Sequence, residues 1–374
     1  MDQELASLQH TVNLVLALGF AIGLAFGAVA QHTRFCTMGA IADRINFGDG
    51  TRLRQWVLAA VVALLGTQAL IAAGTLDLSA SFYVGAKLTW LSHLLGGTLF
   101  GFGMVLASGC GSRNLVRAGA GSLKAVVVVL VLGLAAQMTM RGAFAPLRVE
   151  TLDAVALTLA GPQDLPSWLA RATTASAGLW RVALAALVAV AAGVWLWRDA
   201  AFRGDRAAQL GGAAIGLLVV AAWWSTARLG FVPEHPQTLE PAWPATDSRR
   251  PEAMSFVAPV ANTLTLLTLW SDKGTTLSFA IALVLGVPLG SAAVALATRS
   301  FRWEGFRDAG DLSHHLVGAV LMGFGGVTAL GCTVGQGLSG LSLMAPGAAL
   351  ACAGFGIGAA LALRYQAWRI EREA

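Results

Sequence analysis

The strongest constraint in this chain is where its charges are missing. Of its 374 residues 56% are hydrophobic and only 12% charged, and the charges cluster so as to leave apolar stretches of about 16 to 23 residues, the length that spans a bilayer core as helix. Nine such stretches are predicted: Val12 to Ala30, Trp56 to Gly74, Ser92 to Ala107, Ala125 to Met140, Ser176 to Leu196, Gln209 to Thr226, Thr275 to Ala297, His314 to Leu330 and Pro346 to Leu363. Arg181 is the one charge among them and lies near the end of its stretch, where a long side chain snorkels to the interface. Because lipid offers a backbone no hydrogen bonds, the segments must be helices. The fold class expected is an all-α polytopic membrane protein of about nine transmembrane helices. The glycine-laden stretches Ser92 to Ala107 and His314 to Leu330 are candidates for helices that stop part-way across, with short re-entrant half-helices after them.

Arginine and lysine stay on the cytoplasmic side of a membrane. Assigning loops alternately puts sixteen of the 25 basic residues, from Arg34 and Arg44 to Arg369 and Arg372, on one side. That side is read as cytoplasmic, with the C-terminus inside and the N-terminus outside. The long connections Arg141 to Ala175 and Ala227 to Gly274 then lie outside, and the expected location is the bacterial inner (cell) membrane. The net charge of +5 is explained by this topology, and no soluble face gathers basic residues for nucleic acid. Ala28-Val29-Ala30 imitates a signal cleavage site, but the preceding Met1 to His10 holds Asp2 and Glu4 and no basic n-region.

The chain is also written twice. His93 to Cys110 (HLLGGTLFGFGMVLASGC) laid over His315 to Cys332 (HLVGAVLMGFGGVTALGC) matches His, Phe, Cys and the Gly-x-Gly pairs in register. Nearly the same offset carries Arg34-Phe35-Cys36 to Ser255-Phe256-Val257, which makes part of Met254 to Trp270 the counterpart of the segment after Cys36. Stretches one to four pair with six to nine, and the fifth is a connector. An odd connector inverts the second copy, the plan of many transporters. The predicted organisation is a first inverted repeat over 1–142, an outer loop and connector helix over 143–207, and a second inverted repeat over 208–374.

Four cysteines are present. Cys352, between Ala351 and Ala353, reads as a small packing residue. Cys36, Cys110 and Cys332 sit in glycine- and polar-rich contexts at stretch ends, each followed by enough chain for a half-helix. A half-helix aims unpaired N–H groups and the positive end of its dipole back at the cysteine, an arrangement suited to an anion. Arg113, Asn114 and Gln336 follow about one turn later, and polar groups at membrane depth usually serve function. His93 and His315 begin equivalent stretches as interface anchors or proton-handling groups. Zinc-ligand spacings, a Cys-x-x-Cys pair and a phosphate-binding Gly-x-x-x-x-Gly-Lys-Ser/Thr loop are absent from the sequence. No metal, cofactor or direct ATP use is therefore expected.

Phe-Cys-x-x-Gly at Phe35 to Gly39, Gly-Cys-Gly with Arg-Asn at Gly109 to Asn114, and Gly-Cys-Thr-x-Gly-Gln-Gly at Gly331 to Gly337 resemble the YeeE/YedE family of sulfur-compound transporters. The resemblance implies an hourglass-shaped protein whose waist cysteines relay thiosulfate inward. Residue by residue they are Cys36, Cys110 and Cys332, with Gly109, Gly111, Arg113, Asn114, Gly331, Thr333 and Gln336 supporting the path. It also implies a cytoplasmic sulfur-carrier protein as partner. The alternatives are a transporter or channel for another sulfur or selenium oxyanion, and a membrane thiol-disulfide or sulfur-transfer enzyme. The enzyme lacks the close cysteine pair it would need, so the expectation is a transporter and not an enzyme.

Overall fold

The computed structural model describes residues 2–236, 238–272 and 274–373; Met1 and Lys273, which entered the reading of the N-terminus and of the charges, lie outside these. Helix dominates, and the single sheet among the described residues is the short antiparallel pair β1 (Lys87–Leu88) and β2 (Leu157–Thr158). The helices of the first half are α1 (Asp2–His32), α2 (Thr37–Asn46), α3 (Thr51–Ala72), α4 (Trp90–Leu106), α5 (Gly111–Gly119) and α6 (Leu123–Arg141). A turn, α7 (Ala145–Leu147), leads to α8 (Leu165–Ala172), α9 (Ala177–Trp197) and the short α10 (Ala200–Gly204). The second half holds α11 (Arg206–Trp224), α12 (Ala258–Thr268), α13 (Phe279–Ala297), α14 (Ala309–Thr328) and α15 (Pro346–Glu373).

All nine expected spans are helices, α1, α3, α4, α6, α9, α11, α13, α14 and α15. Among the described residues eight stretches are long and apolar enough to cross a membrane, and the chain is an all-α polytopic membrane protein. Two of the eight run through a break: Ala6–Asn46 takes in α1 and α2, and Trp90–Gly119 takes in α4 and α5. The ninth helix, α14, falls below that apolar standard because it starts with Asp311, His314 and His315. One boundary moved. The seventh span starts at Phe279 rather than Thr275, where Ser278 caps the helix by accepting from the Ile281 N–H. Helices α4 and α14 run unbroken to Leu106 and Thr328, and each is followed by a break and a short helical segment.

Apolar surface drives no helix together inside lipid, so close backbone approach must do so. On α1 and α13 a Cβ added to Gly27 would stand 2.0 Å from the Val287 carbonyl oxygen, and one on Gly290 would stand 1.9 Å from that of Leu24. The crossing of α4 with α14 is reciprocal: Gly103 faces the Gly318 carbonyl and Gly318 the Gly103 carbonyl, each at 2.6 Å from such a Cβ. Packing neighbours also exchange in pairs. Helix α1 lies on α13 as α11 lies on α3, α4 on α15 as α14 on α6, and α6 on α12 as α15 on α2. Helix α9 stands apart, touching α3 and α8 while Leu179, Val182, Leu187 and Val190 are all more than 60% exposed. Those residues form a lipid-facing surface.

Replacing Gly290 with alanine forces α1 and α13 apart and costs about 1–3 kcal/mol. Gly193→Ala on α9, where an added Cβ meets nothing within 4 Å, serves as control. Thermal unfolding in detergent should show a lowered midpoint for the first alone; equal midpoints would show that the two helices yield freely.

Candidate functional site

Each of Cys36, Cys110 and Cys332 follows a helix end of the same construction. A residue in the left-handed region closes the helix: Arg34 at φ 54°, Ser108 at 56° and Leu330 at 57°. The next N–H then reaches back five residues, Phe35 to the Ala30 carbonyl (3.2 Å), Gly109 to Met104 (2.8 Å) and Gly331 to Gly326 (2.8 Å). This is the six-to-one bond of the Schellman motif. Arginine, serine and leucine stand where glycine is favoured, a cost of about 1–2 kcal/mol each. Gly109 and Gly331 themselves take φ of 157° and 158°, which strains any other residue.

Each cysteine then opens the next helix. Its carbonyl accepts the first intrahelical bond, from Ala40 to Cys36 (3.0 Å), Asn114 to Cys110 (2.9 Å) and Gln336 to Cys332 (2.8 Å). The N–H of Gly39 also donates to the Cys36 sulfur at 3.3 Å, and that of Gly335 to the Cys332 sulfur at 3.4 Å. Cys110 contacts the Ser112 hydroxyl at 3.3 Å instead. Expected half-helices therefore exist after all three. They are α2, α5 and, after Cys332, the wide π-type turns of Gly335–Gly340.

The three thiols are buried and unbridged. Cys110 lies close enough to interact electrostatically with both Cys36 and Cys332. Around Cys110 are Gly109, Gly111 and Asn114, whose side-chain amide donates to the Gly109 carbonyl (2.7 Å) and the Cys110 carbonyl (3.2 Å). Around Cys332 are Gly331, Thr333 and Gln336, whose amide donates to the Ala329 carbonyl at 2.6 Å. Asn114 Oδ1, Thr333 Oγ1 and Gln336 Oε1 are buried without a protein partner, three polar atoms available beside the thiols. Arg113 is placed near both Cys36 and Cys110, and its guanidinium donates to the Ala30 carbonyl at 3.4 Å.

Sequence reasoning missed several neighbours. The Arg52 guanidinium lies over Gly39, 2.4 Å from where a Cβ would stand, and pairs with Asp43 at 2.9 Å. The Phe256 and Val334 N–H groups join that of Gly335 at the Cys332 sulfur. Tyr83 and Ser255 pack over Gly335, with oxygens 3.6 and 2.8 Å from its would-be Cβ. The one available signal was the match of Ser255-Phe256-Val257 to the Cys36 segment: Val257 opens α12 as Cys36 opens α2. His93 and His315 take equivalent places, each ring Nδ1 2.7 Å from a carbonyl four residues earlier. Cys352 lies against Gly337, 3.5 Å from a would-be Cβ, as a packing residue does.

Comparison with known proteins agrees with this architecture. The chain is 28% identical over 338 residues to the thiosulfate transporter TsuA of Escherichia coli (strain K12), covering 87% of each chain. It is 26% identical over 358 residues to the thiosulfate transporter TsuA of Spirochaeta thermophila, covering 87% of this chain and 92% of that one. A shorter match, 28% over 116 residues, joins 30% of this chain to 26% of the probable transporter YedE of Salmonella typhimurium. The family profile described as Sulphur transport matches residues 32–361, a region that holds all three breaks and their cysteines, and the chain belongs to that YeeE/YedE family of sulfur-compound transporters.

Proposed function

We propose that this protein carries thiosulfate across the inner membrane into the cytoplasm, handing it along Cys36, Cys110 and Cys332. The observation that carries the reading is the row of three buried, unbridged thiols, each at the mouth of a short helix. Relatives of nearly the same length bear the name thiosulfate transporter, which favours this anion over other sulfur and selenium oxyanions. Membrane transport and not catalysis is the activity.

The terminal sulfur of thiosulfate is large, polarizable and anionic. A thiol is a weak donor, so it holds that sulfur without trapping it, and conduction needs sites that release as readily as they bind. The helix N–H groups at Cys36 and Cys332 supply further positive potential without a fixed charge. Gly109, Gly111 and Gly331 keep the backbone close to the path; Asn114, Thr333 and Gln336 offer polar atoms, and Arg113 positive charge toward Cys36. Transfer proceeds by hydrogen bonding, with no persulfide formed.

The pairwise exchange of packing neighbours supports two inverted halves, 1–142 and 208–374, with 143–207 joining them. The basic residues support a cytoplasmic C-terminus and an outer N-terminus. Import then meets Cys332 first and reaches Cys110 and Cys36 on the inner side, beside Arg113 and Arg52. A cytoplasmic sulfur-carrier protein would collect the anion there.

In bacteria lacking their own uptake systems, the wild type and Cys352→Ala should support growth on thiosulfate as sole sulfur source at matched expression. Removing one weak hydrogen bond of about 0.5–1.5 kcal/mol slows a step up to about tenfold, so Cys36→Ala, Cys110→Ala and Cys332→Ala should each cut labelled thiosulfate uptake by that order. Undiminished uptake in all three would reduce the thiols to packing residues, and a trapped persulfide would replace the hydrogen-bond relay with a covalent one. A fluorescent protein fused after residue 374 should mature in the cytoplasm; alkaline phosphatase activity at the same junction would reverse the orientation.

A further inference from the structure

The end of the molecule that carries the 142–176 and 225–278 connections is hollowed close to Cys332, which is itself fully buried. A cavity of about 290 Å³ there ends at Leu330 and Gly331, the residues just before that cysteine. A wider cavity of about 660 Å³ lies beyond it and shares Arg141, Asp247 and Asn262 with its wall. The inner cavity is largely apolar, with Phe82, Met140, Pro259 and Val327, and its charged side chains are Arg141, Arg148, Asp247 and Glu252.

These four are not equally tied. Arg148 pairs with Asp153 at 3.4 Å. The Asp247 carboxylate accepts from the Asn262 amide and the Ser278 hydroxyl, both at 2.8 Å. Glu252 accepts the Asp247 N–H at 3.1 Å and has no ion pair among the described residues. Its backbone is clamped: the Thr226 hydroxyl donates to the Glu252 carbonyl at 2.6 Å and accepts the Glu252 N–H at 3.2 Å. Tyr83 is close enough to sense both Glu252 and Cys332. A fixed carboxyl thus stands beside the approach to Cys332, next to a second carboxylate and without a cation of its own.

A dianion passing this point meets like charge in a partly desolvated cavity, where repulsion is only weakly screened. Protonating Glu252 removes it. We propose that Glu252 is a proton site linked to the anion, so that the vestibule above Cys332 admits the thiosulfate dianion when this carboxyl is neutral and takes up a proton there when it starts ionised. The inference rests on the reading that thiosulfate reaches Cys332 from this end. Linkage makes the effect reciprocal: the proton favours the anion as much as the anion favours the proton. Burial, and then the neighbouring Asp247, raise Glu252 to about 8, so the switch lies within the range of ordinary growth media. The Arg141 and Arg148 guanidiniums line the same cavity and attract the anion in either state of Glu252.

The test is the initial rate of labelled thiosulfate uptake by cells expressing the full chain, with external pH set well below and well above 8. The wild-type rate should be high on the acid side and fall as pH rises through that value, because the admitted state needs the neutral carboxyl. Glu252→Gln, which cannot titrate, should give a flat profile. Asp247→Asn removes the like charge, so its fall should move to lower pH; it also serves if Glu252→Gln does not fold. With purified protein and a pH indicator near pH 8, thiosulfate binding should draw a proton into the wild type and none into Glu252→Gln. A wild-type profile that is flat, or a Glu252→Gln profile that falls like the wild type, overturns the inference while leaving thiosulfate transport intact. No wild-type uptake at any pH overturns the transport reading and this inference with it.

Discussion

A helix that stops inside a membrane leaves several carbonyls without partners, and the helix that follows leaves several N–H groups in the same state. Everything distinctive in this protein grows from how that problem is solved. At Arg34, Ser108 and Leu330 one left-handed residue folds the chain back on its own last turn and pairs the carbonyls. Two residues later a cysteine opens a new helical segment, and at Cys36 and Cys332 an N–H of that segment donates to the sulfur. The thiol therefore sits at a place where backbone polarity is concentrated and lipid is excluded.

Three such breaks are useful only if they meet, and glycine makes them meet. The crossing of α4 with α14 places backbone against backbone at Gly103 and Gly318. Both helices end in a cysteine break, so this crossing sets how far Cys110 lies from Cys332. The α1–α13 contact fixes the break that carries Cys36 in a similar way. Close packing of small residues thus does for this helix bundle what a hydrophobic core does in a water-soluble enzyme.

Much of this was legible in the sequence because membranes impose coarse rules. Spans show as missing charge, and the correspondence of α4 with α14 shows as recurring His, Phe and Cys in register. What stayed hidden depends on residues that defy their usual preferences or that lie far apart in the chain. Arg34, Ser108 and Leu330 adopt a conformation that favours glycine, so nothing in their identity announces a helix end. Tyr83 reaches Cys332 from the turn before α4, and Glu252 lies in a proline-rich connection that reads as linker. Asp311, His314 and His315 lower the hydropathy of α14 although its remainder is deeply packed.

The doubling is incomplete in one place. Where Cys36 opens α2, Val257 opens α12, and its methyl groups press on Gly326 of α14, 2.8 Å from where a Cβ would stand. A pathway with perfect two-fold symmetry would look the same from either face. Here one copy carries at this position a sulfur near Arg52 and Arg113, and the other a buried isopropyl group packed on α14. The two ends of the molecule are thereby made chemically distinct at the position where the matching segments cease to agree.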